Sequence, residues 1–254
     1  MIVVTTHAAP SALRFLSLSF LATTLVLIIL PWRYINPKMA TRTLNIYSYG
    51  LQRDTTLMLV FQPPDSSKLY RDQFPVVWKV VTFHARGHAK AAIHYQNRLA
   101  FGYAQTDHEN LVDSSAWIEV SSGEISRISG KGGQKRFGSN GKGHATKLLV
   151  CKNNTDSRAN ISIGFVRGDG INQRYAPTML WTGVGAKSNV TIKFTPILSA
   201  YVTRNYKANE MLRGEVETDA IWTVNLDEID DVTGWYLLED DFTGAFRIER
   251  AHFP

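Results

Sequence analysis

The sequence predicts an all-β fold: a single antiparallel β-sandwich, with a β-barrel as second choice, preceded by an N-terminal hydrophobic helix. Three observations carry this reading. About a dozen short apolar or alternating runs follow residue 40, bounded by Gly, Pro and Asn turn residues. No helical stripe longer than two turns appears in that region, so a parallel α/β sheet would lack its crossover helices. The 254 residues contain one cysteine, Cys151, which excludes a disulfide scaffold and a four-cysteine zinc site while leaving ample chain for a buried core. Charged residues at 20%, hydrophobic residues at 44% and aromatics at 11% also exclude a disordered chain and a coiled coil.

Residues 15–32 (FLSLSFLATTLVLIILPW) carry no charge and reach the lower limit for a bilayer span. Trp32 and Tyr34 stand where interfacial aromatics belong. Residues 1–38 are therefore read as a hydrophobic segment, a membrane anchor or a non-native extension, ahead of a β-sandwich domain over 39–254. The expected localisation is a single-pass membrane protein. Arg14 on one side faces Arg33, Lys38 and Arg42 on the other, and the slight excess after the segment favours a cytoplasmic body. A cleaved signal would make the protein secreted, although no small-x-small site follows the apolar run. Translation from Met39 would leave a soluble cytoplasmic domain.

The strands are expected in this order. Residues 55–62 (TTLMLVFQ) stop at Pro63-Pro64, and 76–84 (VVWKVVTFH) precede Gly87. Residues 90–96 and 98–105 form a hairpin or one bent strand, and 115–120 alternate before Ser122-Gly123. After a glycine-rich stretch come 144–152, 160–166, 177–182, 189–195 and 198–203. Residues 206–212 would form one or two helical turns, and 214–224 alternate as a strand. Residues 235–238 and 245–248 close the chain as a hairpin around Asp240-Asp241.

Charge is distributed unevenly. Residues 39–200 hold twenty basic and ten acidic side chains, whereas 201–254 hold five and twelve. The plain explanation is that the acidic tail lies against the basic loops. The strongest local feature is 127–152, with seven cations and no carboxylate. Its centre, GKGGQKRFGSNGKG, frees backbone N–H groups to face an anion, and its cations add attraction that falls with salt. Arg127, Lys131, Lys135, Arg136, Phe137, Lys142 and Lys147 are the candidate ligand-binding residues, with Phe137 able to stack on a base or enter a lipid interface. A solvated loop between strands is the competing reading. The expected partners are an anionic lipid or glycan ahead of nucleic acid, and a membrane through 15–32.

No cofactor is implied. Ser139 stands where a Walker A loop needs lysine, and neither a dinucleotide fingerprint nor a nucleophile elbow occurs. His84, His88 and His94 are the only metal-like cluster, and a β-barrel site could draw them from neighbouring strands. Ordinary surface histidines are the plainer explanation, since the turn at 85–87 aligns nothing by its spacing. Asp227, Glu228, Asp230, Asp231, Glu239, Asp240 and Asp241 could surround a hard cation or decorate two solvated turns. Cys151 reads as a buried hydrophobe. Three matches to the glycosylation acceptor pattern begin at Asn153, Asn160 and Asn189. Trp78, Trp117, Trp181, Trp222 and Trp235 are assigned to the core by default, since an exposed aromatic stripe would instead favour sugar binding.

The function expected first is a non-catalytic binding module for anionic ligands or membrane surfaces, acting through the basic glycine-rich loop. The rival is a metal-dependent enzyme of β-barrel type using the three histidines, and the third reading is a structural or protein-interaction domain.

Overall fold

The computed structural model describes residues 41–64, 69–132, 134–143, 147–203 and 205–251. In chain order the strands are β1 (Thr41–Tyr49), β2 (Thr55–Phe61), β3 (Gln73–Pro75), β4 (Val77–Phe83), β5 (His88–Gln96) and β6 (Leu99–Thr106). They continue with β7 (Val112–Glu119), β8 (Glu124–Ser129), β9 (Arg136–Phe137), β10 (Gly141–Lys142), β11 (Leu149–Asn153) and β12 (Ala159–Arg167). The last six are β13 (Arg174–Val184), β14 (Asn189–Ile192), β15 (Ile197–Val202), β16 (Trp222–Asn225), β17 (Val232–Glu239) and β18 (Phe246–Arg250). The fold is all-β, with four sheets. The first has the order β18-β17-β1-β5, the second β16-β15-β2-β4, the third β3-β13-β12-β6-β7, and the fourth β10-β8-β11-β14 with β9 also paired to β8.

Strand alternation explains which sheets share a core. Leu44 and Ile46 of β1, Ile93 and Tyr95 of β5 and Leu237 of β17 meet Leu57, Leu59 and Phe61 of β2 and Leu198 of β15, so the first and second sheets face one another. Phe101 of β6, Ile161 and Ile163 of β12 and Met179 of β13 meet Ile128 of β8, Leu149 and Cys151 of β11 and Val190 of β14, so the third and fourth sheets do the same. Strand β12 takes part in both cores, since Phe165 near its end packs with the first set. Its ring centroid lies 4.9 Å from Phe61, 5.0 Å from Tyr95 and 5.4 Å from Phe194.

Strand β2 is buried on both faces. Met58 and Val60 point away from Leu57 and Leu59 and are covered by Val77 and Leu212. Met211, one residue earlier, packs instead with Val76, Ala104, Val112 and Leu180 over the outer face of the third sheet. Adjacent residues of one extended segment thus seal two sheets. This is why the expected helical turn at 206–212 does not form: both apolar side chains are used on opposite sides of the chain, as extended backbone allows and a helix does not. The strand expected over 214–224 is likewise limited to β16 at its far end.

Two ladders correct the expectation of a purely antiparallel arrangement. Strand β1 pairs with β17 in parallel, Ile46 opposite Trp235, and β8 pairs with β11 in parallel, Cys151 opposite Ser126. Parallel neighbours need a long connection. The chain supplies one in each case, because most of the fold separates β1 from β17 and the glycine-rich segment separates β8 from β11.

The expected membrane topology is corrected as well. Among the described residues no helix is long and apolar enough to cross a membrane, and the helical elements there are two three-residue 3-10 turns. A transmembrane helix and a single-pass localisation therefore receive no support. Residues 15–32, on which both expectations fell, and the boundary at residue 38 lie outside the described residues.

A bulge between Ile163 and Gly164 shifts the β12–β13 register. A methyl group on Gly164 would collide with the Ala176 carbonyl oxygen and lie 2.7 Å from Pro177 Cα. Both obstacles are backbone, so Gly164→Ala is expected to destabilise the fold by about 1–3 kcal/mol or more, as overpacked sites do. Urea denaturation of the variant measures it, and an unchanged midpoint would contradict the steric argument.

Candidate functional site

The glycine-rich segment is not a free loop. Gly130, at φ +112°, turns the chain back on itself, and Gln134 N–H donates to the Lys131 carbonyl at 3.2 Å. Strand β9 then pairs antiparallel with β8, Phe137 opposite Ile128 and Arg136 opposite Ser129. Strand β10 follows, Gly141 opposite Ile125. Asn140 fastens the return: its Nδ2 donates to the Glu119 carbonyl at 2.6 Å and to Glu124 at 3.0 Å, and its Oδ1 accepts from Ser126 at 2.9 Å.

Register separates the candidate cations into groups. Arg127 of β8 lies opposite Lys152 of β11, and paired residues project on the same face of a sheet. Ser129, two residues beyond Arg127, shares that face, and so does its partner Arg136. Arg127, Lys152 and Arg136 therefore stand together on the outer face of the fourth sheet, with adjacent positions about 5–7 Å apart. The Arg127 guanidinium lies across Gly141, where a Cβ would come within 2.6 Å of it. Lys131, Lys142 and Lys147 are exposed. Lys147 lines a cleft of about 720 Å³ that also contains Lys193, Glu124 and Asp227. Among the described residues no ion pair involves Arg127, Lys131, Lys135, Arg136, Lys142, Lys147 or Lys152.

Two candidates are held differently. Lys135 Nζ donates to the Arg158 carbonyl at 3.1 Å and sits 5.0 Å from the Tyr103 ring centroid, so it is drawn to the rim of the core. Phe137, opposite the buried Ile128, is half-buried and packs against that core, on the other side of the sheet from Arg127 and Arg136. Lys152 belongs to the cationic face although its position in a strand, not in the glycine-rich centre, kept it out of the candidate contacts.

Among the described residues the ion pairs of the acidic tail lie away from Arg127, Arg136 and Lys152. Asp231 pairs with Arg42 at 2.5 Å, Asp230 with Arg250 at 2.6 Å and Glu239 with Arg53 at 3.7 Å, all around the first sheet. Asp240 accepts from the Phe242 and Thr243 backbone N–H groups within its turn, which lowers its carboxyl below the usual value.

The histidines are dispersed. His84 pairs with Asp54 at 3.2 Å in the turn before β5. His88 packs edge-on against Tyr49 at 4.8 Å, and His94 shares a hydrogen bond of 3.2 Å with Thr43. The latter two face the same way from opposite ends of β5, about 20 Å apart at the rise of a strand. Among the described residues no group of three or more His, Cys, Asp or Glu side chains converges as metal ligands.

Cys151 is fully buried in the core of the third and fourth sheets, and desolvation pushes its thiol up to about 12. Asn153 is also buried: its Nδ2 donates to the carbonyls of Ser157, Val184 and Gly185 at 2.8, 3.0 and 3.0 Å, so it is closed to a glycan in the folded chain. Asn160 accepts from Gly183 N–H at 2.9 Å. Asn189 alone of the three acceptors is exposed.

Comparison of the chain with family models, with characterised proteins and with solved structures gives no match.

Proposed function

We propose that this chain is a non-catalytic binding module for a linear polyanion, a sulfated polysaccharide in the first place, which it holds on the outer face of the fourth sheet. The fold is read as two face-packed sheet pairs serving as a rigid scaffold for that face. The observation that supports the reading most is the register of β8 and β11, which sets Arg127 beside Lys152 and places Arg136 on the same side, with no carboxylate paired to any of them among the described residues. Like charges at neighbouring sheet positions repel and destabilise the fold slightly. An anion arriving between them relieves that repulsion.

The choice of polyanion follows from what surrounds the cations. Phe137 packs half-buried against the core on the other side of the sheet from the cations, so it does not give this face the stacking ring that single-stranded nucleic acid uses or the wedge that a lipid interface uses. What it offers is charge together with the backbone of a folded glycine segment, which suits sulfate groups along a flexible chain.

The test is binding of the full chain to heparin across a salt series. Affinity is expected to fall roughly tenfold or more between low and moderate salt, because bound counterions are released from the polyanion. Retention independent of salt would overturn the reading, as would tighter binding to single-stranded nucleic acid or to anionic vesicles than to heparin.

A further inference from the structure

The outer face of the third sheet carries a second arrangement. Trp117 and Tyr175 are half-buried, yet neither belongs to any of the hydrophobic clusters that absorb Trp78, Trp181, Trp222 and Trp235. Their rings are nearly parallel, 13° apart, with centroids 6.3 Å from one another. A packing role would have placed them in a core. Instead they form an offset pair on the sheet surface.

What lets Tyr175 lie there is an absent side chain. Gly102 is in register with Trp117 on one side and Ser162 on the other. A Cβ at this position would sit 2.6 Å from Ser162 Oγ, 2.7 Å from Ser114 Oγ and 2.8 Å from Tyr175 Cε1. The Tyr175 ring therefore extends from β13 across β12 and over β6, and its hydroxyl donates to Ser162 at 3.1 Å. Burial raises this phenol well above its ordinary value, so it remains a neutral donor.

Beside the rings is a hollow of about 290 Å³, whose rim includes Asp113, Arg174 and Asn209. Each retains hydrogen-bonding capacity. Asp113 accepts from Ser114 N–H at 2.8 Å through one oxygen, Arg174 donates to the Gln173 carbonyl at 3.0 Å through one nitrogen, and the Asn209 carboxamide has no partner among the described residues. One carboxylate and one guanidinium leave the rim without net charge. Aromatic faces, balanced charge and a mixture of donors and acceptors fit a ligand that is apolar on one face and bears hydroxyls at its edge.

From this geometry we infer that the hollow binds one ring of a neutral pyranose oligosaccharide, with the sugar's C–H face on Trp117 and Tyr175 and its hydroxyls on Asp113, Arg174 and Asn209. The site is separate from the cationic face. The third and fourth sheets turn their inner faces to one shared core, so their outer faces point in opposite directions.

The experiment titrates the full chain, at high salt to suppress the cationic face, with neutral oligosaccharides of glucose, mannose, galactose and N-acetylglucosamine at millimolar concentrations. The indole N–H resonance of Trp117 is the readout in the unaltered chain, and the backbone amide resonances of residues around the hollow report affinity in the variants that lack the indole. At least one sugar is expected to shift that resonance. Trp117→Ala should weaken its binding about tenfold, within the range of an aromatic contact, and Asp113→Ala severalfold with an unchanged melting temperature. Trp117→Tyr keeps a ring and should retain most of the affinity, which provides a readout if the alanine variant misfolds. Failure of every sugar to move the indole resonance would overturn the inference, and so would binding that survives Trp117→Ala in a folded protein. Neither outcome touches heparin binding at the opposite face.

Discussion

Replacing Phe165 with alanine is expected to cost about 3–5 kcal/mol of stability, the range for a fully buried phenylalanine. The ring is 1% exposed and contacts Phe61, Tyr95 and Phe194, with Trp78 at 6.3 Å. Its position makes the loss more than local. Ile161 and Ile163 of the same strand lie in the core of the third and fourth sheets, while Phe165 lies in that of the first and second. The remaining cavity thus opens at the joint between the two cores. Urea unfolding followed by tryptophan fluorescence measures the effect. A single cooperative transition at lower denaturant is the expected result. Two separated transitions would mean that the sheet pairs unfold independently, and a loss below about 1 kcal/mol would mean that neighbouring side chains refill the site.

The combined substitution Arg127→Glu and Lys152→Glu is expected to weaken heparin binding by about 100-fold at low salt, since it replaces two attractive charges by two repulsive ones at the centre of the face. Stability should barely change, because neither residue makes an ion pair among the described residues and Lys152 is exposed. Lys90→Glu on β5 provides the control. That lysine belongs to the first sheet, where it lies over the Tyr47 ring at 5.6 Å, and its reversal should alter heparin binding only slightly. Equal losses from both variants would mean that net charge, and not this face, attracts the polyanion.

The all-β class was legible because alternation and turn residues recur along the whole body of the chain. Strand β1 was less visible. Its buried positions are Leu44, Ile46 and Ser48, and a hydroxyl in the third place breaks the apolar pattern. Strand β2 reads as a continuous apolar run because both of its faces are covered. The sequence does not reveal that residues from 206 onward provide one of the covers. Pairing direction was illegible for a simpler reason: alternation is the same read in either direction, so nothing in residues 124–129 or 149–153 specifies that β8 and β11 run parallel. The candidate site suffers from the same blindness. Composition identified the cations, but only register shows that Arg127, Arg136 and Lys152 share a face while Lys135 is drawn to the core rim. Trp117 could not be told from the core tryptophans, because the ring it lies beside, Tyr175, is 58 residues away and reaches it only across Gly102 of another strand.

The glycine segment also bears on how the molecule avoids its own kind. Strand β8 would otherwise leave one side of its backbone unpaired, a template on which another chain could add a strand. Strands β9 and β10 occupy that side in two pieces of two residues each. Pieces so short, interrupted by glycine and studded with lysine and arginine, offer no continuous ladder to a newcomer. Excising residues 131–143 should therefore do more than remove charge: it should uncover a sticky margin, and the shortened protein should self-associate.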